Sequence, residues 1–300
     1  MIDIHAGDNL TILPTFPDAS FDLVYTDPPF NTGRSQKRVE MRTIRDADGD
    51  RVGFYGERYR TERLATRAYA DRFDDYLAFI EPRLRHIHRL LKPTGALLLH
   101  LDYRESHYCK VLLDQIFGRE CFMNEIIWSY DYGGRPRTRR PAKHDSIFWY
   151  VKDPERYTFN YDAIDRIPYL APGLVTPEKA ARGKTPTDVW WHTIVSPGGK
   201  EKTGYPTQKP LGIVNRIVKV HSNPDDRLLD CFAGSGTLGE SAHRLGRHCT
   251  LIDNHPEALR IMQARLAWTH PAVHPRADQP PHAATDQSGA LPSRFPDAIR

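Results

Sequence analysis

Short apolar segments alternate with amphipathic segments along most of the chain, and this alternation restricts the fold more than any other feature. Apolar runs bounded by turn residues predict buried parallel strands at Phe21–Thr26, Gly95–Leu101, Arg227–Phe232 and His248–Asp253. Amphipathic segments predict helices at Phe73–Leu91, Tyr103–Phe117, Gln208–His221, Thr237–Leu245 and Glu257–Ala267. Such alternation is typical of a doubly wound α/β fold, so we predict a Rossmann-like sheet with helices on both faces.

Two further strand candidates follow one another with no helix between them. Asn124–Tyr130 and Ser146–Lys152 are joined by a loop rich in Gly, Arg and Pro. Consecutive strands joined in this way favour an antiparallel pair, which belongs at one edge of the sheet. The sheet is therefore predicted to be mixed.

Several segments depart from this regular pattern. Residues 33–70 hold ten Lys/Arg against six Asp/Glu, and residues 133–143 hold five basic residues and no acidic one, so both are interpreted as basic loops or insertions. Residues 154–207 are rich in Pro, Gly and aromatic residues and predict a small insert. The last thirty residues contain six prolines, so residues 269–300 are predicted to be a disordered tail. One domain remains, formed by residues 1–153 and 208–268.

The overall composition narrows the class of protein. The 300 residues suffice for one sizeable α/β domain, and the net charge of +4 makes the distribution of charge more informative than its sum. The four cysteines (Cys109, Cys121, Cys231 and Cys249) stand far apart without a CxxC pair, which argues against a zinc site and a disulfide framework. The sequence has no basic and apolar leader and no apolar run of about 20 residues. We predict a cytoplasmic protein with no metal and no membrane partner.

A glycine-rich turn follows the strand that begins at Arg227. Gly234 and Gly236 allow a tight turn and a close approach of the backbone to a ligand, and the helix from Thr237 offers free N–H groups. The next strand ends about 20 residues later at Asp253, whose carboxylate can accept hydrogen bonds from ribose hydroxyls. The alternative interpretations are an ordinary strand-to-helix turn and a helix N-cap at Asp253. Because the turn lacks the third glycine of GxGxxG, the pair favours S-adenosylmethionine over NAD.

The apolar strand Phe21–Thr26 leads directly into the tetrapeptide Asp27-Pro28-Pro29-Phe30. Two prolines remove two backbone donors, so the nearby carbonyls point into the cleft at the end of the strand. Asp27 and one carbonyl can accept both hydrogens of an amino group and orient its lone pair, while Phe30 can stack on a base. The alternative is a proline-rich turn capped by Asp27. The tetrapeptide predicts a catalytic site for an amino group.

The tetrapeptide with Asn31-Thr32-Gly33, the segment Tyr205–Pro210 and the segment Asp230–Thr237 occur in that order. Together they resemble the β group of DNA amino-methyltransferases, in which a circular permutation puts the catalytic motif before the cofactor motif. The resemblance covers nearly all of residues 1–268. Two positions depart from the family pattern, since Cys231 stands where proline is common and Phe30 where tyrosine is common.

The resemblance implies a set of cofactor contacts. The turn at Gly7 and Asp8 would contact the adenine of S-adenosylmethionine, Asp253 its ribose, and the glycine turn its methionine portion. The full set of implied cofactor residues is Asp8, Thr207, Gln208, Lys209, Asp230, Phe232, Ala233, Gly234, Ser235, Gly236, Thr237 and Asp253. Asp at the first catalytic position favours adenine N6 as the target, and cytosine N4 remains the alternative.

Double-stranded DNA is the expected partner, reached by base flipping and direct methyl transfer without a covalent intermediate. The basic segments flank the catalytic motif, and their side chains are candidates for phosphate contacts: Arg34, Lys37, Arg38, Arg135, Arg137, Arg139, Arg140 and Lys143. Residues 154–207, with Trp190 and Trp191, fall where the family has its target-recognition insert. The resemblance also makes a homodimer, a cognate restriction endonuclease and a nucleoid location expectations. An RNA or protein amide methyltransferase and a catalytically silent DNA-binding module are the rival functions.

Overall fold

The computed structural model describes residues 1–46, 48, 51–52 and 58–275, and for 34–45, 51–52, 59 and 61–70 it describes the backbone alone. The strands are β1 (Ile2–Ala6), β2 (Phe21–Thr26), β3 (Arg34–Arg45), β4 (Arg51–Val52), β5 (Arg58–Asp71), β6 (Leu91–Asp102), β7 (Phe122–Ser129), β8 (His144–Val151), β9 (Val189–Trp191), β10 (Arg227–Asp230), β11 (His248–Asp253) and β12 (Ala272–His274). The helices are α1 (Asn9–Ile12), α2 (Tyr76–Leu90), α3 (Ser106–Phe117), α4 (Pro177–Arg182), α5 (Leu211–His221), α6 (Thr237–Arg244) and α7 (Pro256–Leu266).

Nine of the strands in the described residues form one mixed sheet, in the order β12-β1-β11-β10-β2-β6-β8-β7-β9. The six strands from β12 to β6 are parallel, and β8 is antiparallel to both β6 and β7. The carboxyl ends of β1, β11, β10 and β2 therefore meet at one edge of the sheet. The predicted mixed Rossmann-like sheet is confirmed, with the antiparallel pair beside β6.

Helices cover both faces of this sheet, as neighbouring residues of β8 demonstrate. Tyr150 lies 5.4 Å from Phe117 of α3 between ring centroids, whereas Trp149 lies 4.5 Å from His221 of α5. Successive strand residues point to opposite faces, so α3 and α5 lie on opposite sides. Every residue of β2 is buried, which explains its largely apolar pattern, and the charge of Asp22 is met by an ion pair with Lys92.

The segment 33–70 differs from the predicted basic loop. Its described backbone forms an antiparallel ribbon of β3 and β5, with Arg34 paired to Asp71 and Arg45 to Tyr59. A two-stranded ribbon is held by its backbone hydrogen bonds and needs few aliphatic residues, so the search for apolar runs missed it. The ribbon starts immediately after the catalytic motif and returns to the domain at Asp71.

The predicted disordered tail is wrong at its beginning. Ala272–His274 form β12, which pairs in parallel with β1 and extends the sheet by one strand. The rings of His274 and His5 stack with centroids 4.2 Å apart, which adds a side-chain contact to the backbone pairing. Residues 276–300 lie outside the described part of the chain.

Candidate active site

A cleft of about 480 Å³ opens at the carboxyl ends of β1, β11, β10 and β2. It lies where ligands bind in open α/β sheets and is large enough for a cofactor and part of a substrate. The lining includes all four predicted catalytic residues, Asp27, Pro28, Pro29 and Phe30. It also includes the predicted cofactor residues Asp8, Thr207, Gln208, Lys209, Asp230, Phe232, Ala233, Gly234, Ser235, Thr237 and Asp253.

Gly236 is the predicted cofactor residue that does not line the cleft. Its φ of +74° and the packing of α7 explain the glycine, because a Cβ there would stand 2.7 Å from Cγ of Met262. Gly234 has a φ of +50°, and a Cβ there would stand 2.9 Å from the ring of Tyr205, which lines the cleft. Gly234 therefore lets the ring of Tyr205 pack against the turn at the cleft, whereas Gly236 lets α7 pack against the turn on its other side.

Asp253 connects the loops that surround the cofactor end of the cleft. Its Oδ2 accepts a hydrogen bond of 2.8 Å from Gly234 N, and its Oδ1 accepts one of 2.8 Å from His255 N. Its backbone carbonyl accepts a 3.0 Å bond from Gly7 N. The carboxylate thus fixes the glycine turn as well as facing the cleft, and its burial raises its pKa.

Asp230 lies at the end of β10, where its side chain is buried and accepts two hydrogen bonds. The donors are Thr26 Oγ1 and Phe232 N, each at 3.0 Å. Burial, reinforced by the negative charges of Asp27 and Asp253, raises the pKa of Asp230 to about 7. A positively charged ligand beside these carboxyl groups would favour the ionised form of Asp230.

Arg83 of α2 holds the floor of the cleft and was missed by the sequence analysis. Its Nε donates to Asn9 Oδ1 at 2.7 Å, and Asn9 Nδ2 donates to the carbonyl of Cys231 at 2.8 Å. Its Nη2 lies 3.4 Å from Asp8 Oδ1, and its guanidinium group stacks 3.9 Å from the ring centroid of Phe79. Arg83 lies among the buried residues of α2, and an arginine on the apolar side of a predicted helix is the sequence feature that could have identified it.

The catalytic motif places a carboxylate and an aromatic ring side by side. Lys209 Nζ forms an ion pair with Asp27 Oδ2 and lies 4.8 Å from the ring centroid of Phe30. Asp27 Oδ1 is buried and has no hydrogen-bond partner among the described residues. A buried acceptor without a partner is costly, so this oxygen is ready to bind a donor brought by a substrate.

Asp71, at the end of the ribbon, fixes the residues that follow Phe30. Its Oδ1 accepts from Asn31 N at 2.8 Å, and its Oδ2 accepts from Thr32 Oγ1 at 2.6 Å. Asn31 has a positive φ of 52° and donates through its side chain to Glu105 Oε1 at 2.7 Å. The catalytic loop is therefore fastened to the base of the ribbon and to the start of α3. No pattern in the sequence indicated this role for Asp71.

A buried polar chain runs beneath Phe30. Tyr25 Oη lies 2.9 Å from His100 Nδ1, and His100 Nε2 lies 3.1 Å from Asp145 Oδ2. Tyr130 Oη donates to the other oxygen of Asp145 at 3.0 Å. Burial alone would raise the pKa of Asp145, but hydrogen bonding to His100 and the charges around it lower that pKa. These hydrogen bonds hold the buried His100, which lies beside the ring of Phe30.

The three residues after Pro206 that were predicted to touch the cofactor, Thr207, Gln208 and Lys209, lie in a loop. The helix predicted from Gln208 begins only at Leu211. Gln208 uses its side-chain amide within this loop: its Oε1 accepts from Thr203 N at 2.9 Å and its Nε2 donates to the Glu201 carbonyl at 2.8 Å. The residue before a proline avoids helical geometry, so Lys209 cannot start the helix. Gln208 thus shapes the loop that carries Lys209.

The basic loop between β7 and β8 lies at the same edge of the sheet as the cleft. Its residues 131–140 are all exposed, and they include Arg135, Arg137, Arg139 and Arg140. Arg139 Nη2 reaches Tyr103 Oη at 3.5 Å, just beyond the end of β6, and Lys143 Nζ donates to the carbonyl of Tyr132 at 2.5 Å. The other predicted DNA-binding residues, Arg34, Lys37 and Arg38, belong to β3, where the backbone alone is described.

Comparison with known proteins decides the family. A family model described as DNA methylase, which covers N6 and N4 amino methyltransferases, matches residues 21–264. The chain belongs to this DNA methylase family. The methylase is 31% identical over 255 residues to the Type II methyltransferase M.HpaI of Haemophilus parainfluenzae, and the match covers 85% of this chain and 70% of M.HpaI.

Two further comparisons agree with this assignment. The methylase is 28% identical over 268 residues to the DNA adenine methyltransferase YhdJ of Escherichia coli (strain K12), covering 87% of this chain and 81% of YhdJ. The fold matches that of the M1.HpyAVI-SAM complex with a TM-score of 0.58 at 23% identity, covering 89% of this chain and 99% of that one. Enzymes of this family use S-adenosylmethionine and methylate exocyclic amino groups in DNA, as the resemblance implied.

The cleft of the methylase fits this cofactor. Asp230 and Asp253 line the cleft, and the ionised form of either carboxyl group would complement a cationic sulfonium. Across the described ranges, no helix is long and apolar enough to cross a membrane. Those ranges also hold no group of His, Cys, Asp and Glu side chains suited to a metal ion.

Proposed function

We propose that this methylase modifies the N6 amino group of adenine in a specific sequence of double-stranded DNA. The observation that carries the proposal is Asp27 Oδ1, which has no hydrogen-bond partner in the described part of the chain and lies in the cleft with the ring of Phe30. Asp at the first position of the motif and the likeness to an enzyme named as a DNA adenine methyltransferase favour adenine. Cytosine N4 is the second candidate, because its amino group could satisfy the same acceptors.

In this mechanism the target base is flipped out of the duplex and stacks on Phe30. Asp27 and a carbonyl of the proline pair accept the two amino hydrogens, so the nitrogen lone pair faces away from them. S-adenosylmethionine supplies an electrophilic methyl group when it is bound. The methyl group would pass to nitrogen as its bond to the sulfonium sulfur breaks and leaves a neutral thioether. The nitrogen is then positively charged, and Asp27 and Phe30 stabilise that charge until its proton passes to solvent.

Direct transfer needs no cysteine nucleophile, and Cys231 is a poor one. It is the cysteine that lines the cleft within the described residues, and burial raises the pKa of its thiol to about 12. A thiol rather than a thiolate is therefore present at neutral pH. We expect Cys231→Ser to retain methyl transfer.

The remaining roles follow from position. We assign cofactor binding to the glycine turn, Asp8, Asp253 and the loop at Thr207–Lys209, and DNA contacts to the basic loop at 133–143 and to the ribbon within 33–70. Residues 154–207 are assigned to target recognition between a catalytic half (1–153) and a cofactor half (208–268). Within this insert Trp191 is 72% exposed, whereas Trp190 is partly buried, so Trp191 is the better placed to contact DNA. A homodimer, a cognate restriction endonuclease and a nucleoid location belong to the same proposal.

The test is single-molecule sequencing of DNA from a methylation-free host that expresses the chain. We expect N6-methyladenine at one sequence motif, and its absence in a host that expresses Asp27→Asn. The substitution keeps the size of the side chain and removes its charge, so a loss of about 10²–10³-fold in rate is expected. N4-methylcytosine at the motif would contradict the choice of base, and full activity of Asp27→Asn would contradict the mechanism.

A further inference from the structure

The ammonium group of Lys209 contacts two side chains of the catalytic motif within the cleft. It forms the ion pair with Asp27 Oδ2 and lies 4.8 Å from the centroid of Phe30. Both charged side chains are largely withdrawn from solvent, with 9% of the Lys209 side chain and 16% of the Asp27 side chain exposed. An ion pair this sheltered is not a mobile surface contact.

These two partners of Lys209 are the groups that the proposed function assigns to the target base. A base stacked on Phe30 needs the space over the ring, at the distance of van der Waals contact. That space is limited on another side by the buried imidazole of His100, whose centroid lies 6.1 Å from that of Phe30. The Lys209 ammonium group and a stacked base therefore compete for one position.

The positive charge of the Lys209 ammonium group also indicates which form of the target amino group this subsite prefers. The amino group of a base is neutral when it arrives, but it is cationic once it has gained a methyl group and before it loses a proton. A cationic nitrogen held between the Asp27 carboxylate and the Phe30 ring has the charge of that later species. The subsite is thus complementary to the charge that develops during transfer, and an ammonium group fits it when no base is present.

We propose that Lys209 is a removable occupant of the base subsite, which lies over Phe30 and pairs with Asp27 Oδ2 in the free enzyme and withdraws when the base enters. The proposal rests on the proposed function, because it takes Asp27 and Phe30 as the groups that bind the base. In the free enzyme the ion pair satisfies one oxygen of the buried Asp27. Its disruption is a cost that base flipping has to overcome, so Lys209 disfavours the binding of a base in the absence of other favourable contacts.

The proposal can be tested with a duplex that carries 2-aminopurine at the target position mapped by sequencing. The fluorescence of 2-aminopurine rises when it leaves the base stack, so the rise is measured against protein concentration without cofactor. Lys209→Met should reach half of the maximal rise at a concentration about tenfold lower than the unmodified protein, as expected if Lys209 fills the subsite about 90% of the time. Unchanged or weaker flipping by Lys209→Met would overturn the proposal.

Two controls separate this effect from a general change in charge. Lys219→Met removes a lysine of α5 that pairs with Asp165 outside the cleft, and it should leave the fluorescence curve unchanged. A duplex with an abasic target has no base to compete with Lys209, so Lys209→Met should bind it no more tightly than the unmodified protein does. Tighter binding to the abasic duplex would also contradict the proposal.

Folding of the variant is checked by thermal unfolding, and Lys209→Gln replaces Lys209→Met if the latter does not unfold cooperatively. The sequencing experiment makes the two proposals distinguishable. If the chain leaves no methylated base in DNA, the proposed function fails and this inference fails with it. If methylation occurs and the lysine variants flip the base no better, this inference alone is wrong.

Discussion

Asp230 is the residue at which burial and ionisation conflict most directly. Its carboxyl group is 4% exposed and lies near Asp27 and Asp253, and burial raises its pKa to about 7. In the unfolded chain the same group has a pKa near 4. Between these two values the folded protein keeps a proton that the unfolded chain has lost. The stability provided by the neutral group is therefore complete below about pH 4 and is lost as the pH rises to about 7.

This conflict gives a prediction for the protein without cofactor. Asp230→Asn removes the titration, while an amide oxygen can still accept from Thr26 and Phe232. The free energy of unfolding of the variant, minus that of the unmodified protein, should increase between pH 5 and pH 8. The increase is up to about 1.4 kcal/mol per pH unit below about pH 7, where the unmodified protein loses stability. Denaturant unfolding at pH 5, 6, 7 and 8 measures this difference. A difference that does not change with pH would show that Asp230 is ionised in the folded protein throughout.

Arg83 allows a second prediction at this scale, because it supports the cofactor end of the cleft without lying in any recognised motif. Arg83→Met leaves Asn9 Oδ1 without its donor and frees the loop that carries Asp8. We expect cofactor affinity to fall about 10–100-fold, equivalent to about 1–3 kcal/mol for a lost buried hydrogen bond. Calorimetric titration with S-adenosylmethionine measures the loss.

The matched control lies two residues further along the same helix. Arg85 pairs with Glu81 at the surface, and its side chain is 59% exposed. Arg85→Met should therefore bind the cofactor as tightly as the unmodified protein does. Equal affinities for Arg83→Met and Arg85→Met would refute the role given to Arg83.

At the scale of elements, the loop between β7 and β8 is the described segment best suited to a DNA backbone. Arg137 and Arg140 are exposed at the catalytic edge and belong to no strand or helix. The double substitution Arg137→Ala with Arg140→Ala should weaken DNA binding to a similar extent for all sequences. It should also reduce the slope of log affinity against log salt concentration by about two, since each phosphate contact contributes about one.

Fluorescence anisotropy at several salt concentrations, with specific and unrelated duplexes, measures both quantities. Cofactor affinity serves as the internal control, because the loop is remote from the glycine turn in the sheet order. An unchanged salt slope would mean that these arginines remain in solvent in the complex. A loss confined to the specific duplex would instead indicate contacts with bases.

The elements also show which parts of the molecule a sequence can predict. The bounds of β2 and β11 agree with their predicted ranges, because a buried strand needs a mainly apolar run that ends at a turn residue. The ribbon of β3 and β5 and the edge strand β12 were missed, because backbone pairing with a distant segment decides them. Asp27, Gly234 and Asp253 could be predicted from local motifs. The roles of Arg83 and Asp71 could not, since each acts on residues about 40 or more positions away, although an arginine on an apolar helix stripe marks Arg83 as unusual.

For the molecule as a whole, the sheet brings the first and last described strands together. β1 and β12 are adjacent and parallel, with His5 opposite His274. Because β1 and β12 are parallel, a linker from Pro275 has to run back along the length of one strand to reach Met1. A strand rises about 3.3 Å per residue, so about eight residues are enough. The loop at Gly198 and Gly199 is a suitable new terminus, since it lies largely exposed near the end of the insert, before α5.

We therefore predict that a circular permutant which starts at Gly199 and ends at Gly198 folds to the same sheet. It should unfold cooperatively and bind S-adenosylmethionine with an affinity within a few fold of the original, because its contacts are unchanged. Circular dichroism during heating and calorimetry provide the two measurements. A permutant that is soluble but has no cooperative transition would show that the original connection at 198–199 is required for folding.

The contact between β1 and β12 has a consequence for the history of such enzymes. A chain whose first and last described strands are neighbours behaves as a closed ring of elements that a gene can open at more than one place. Duplication of the gene in tandem, followed by the loss of both outer parts, would produce a reordered chain through intermediates that can all fold. The order of the catalytic and cofactor motifs would then record where the ring was opened during descent, while the chemistry of the site would stay the same.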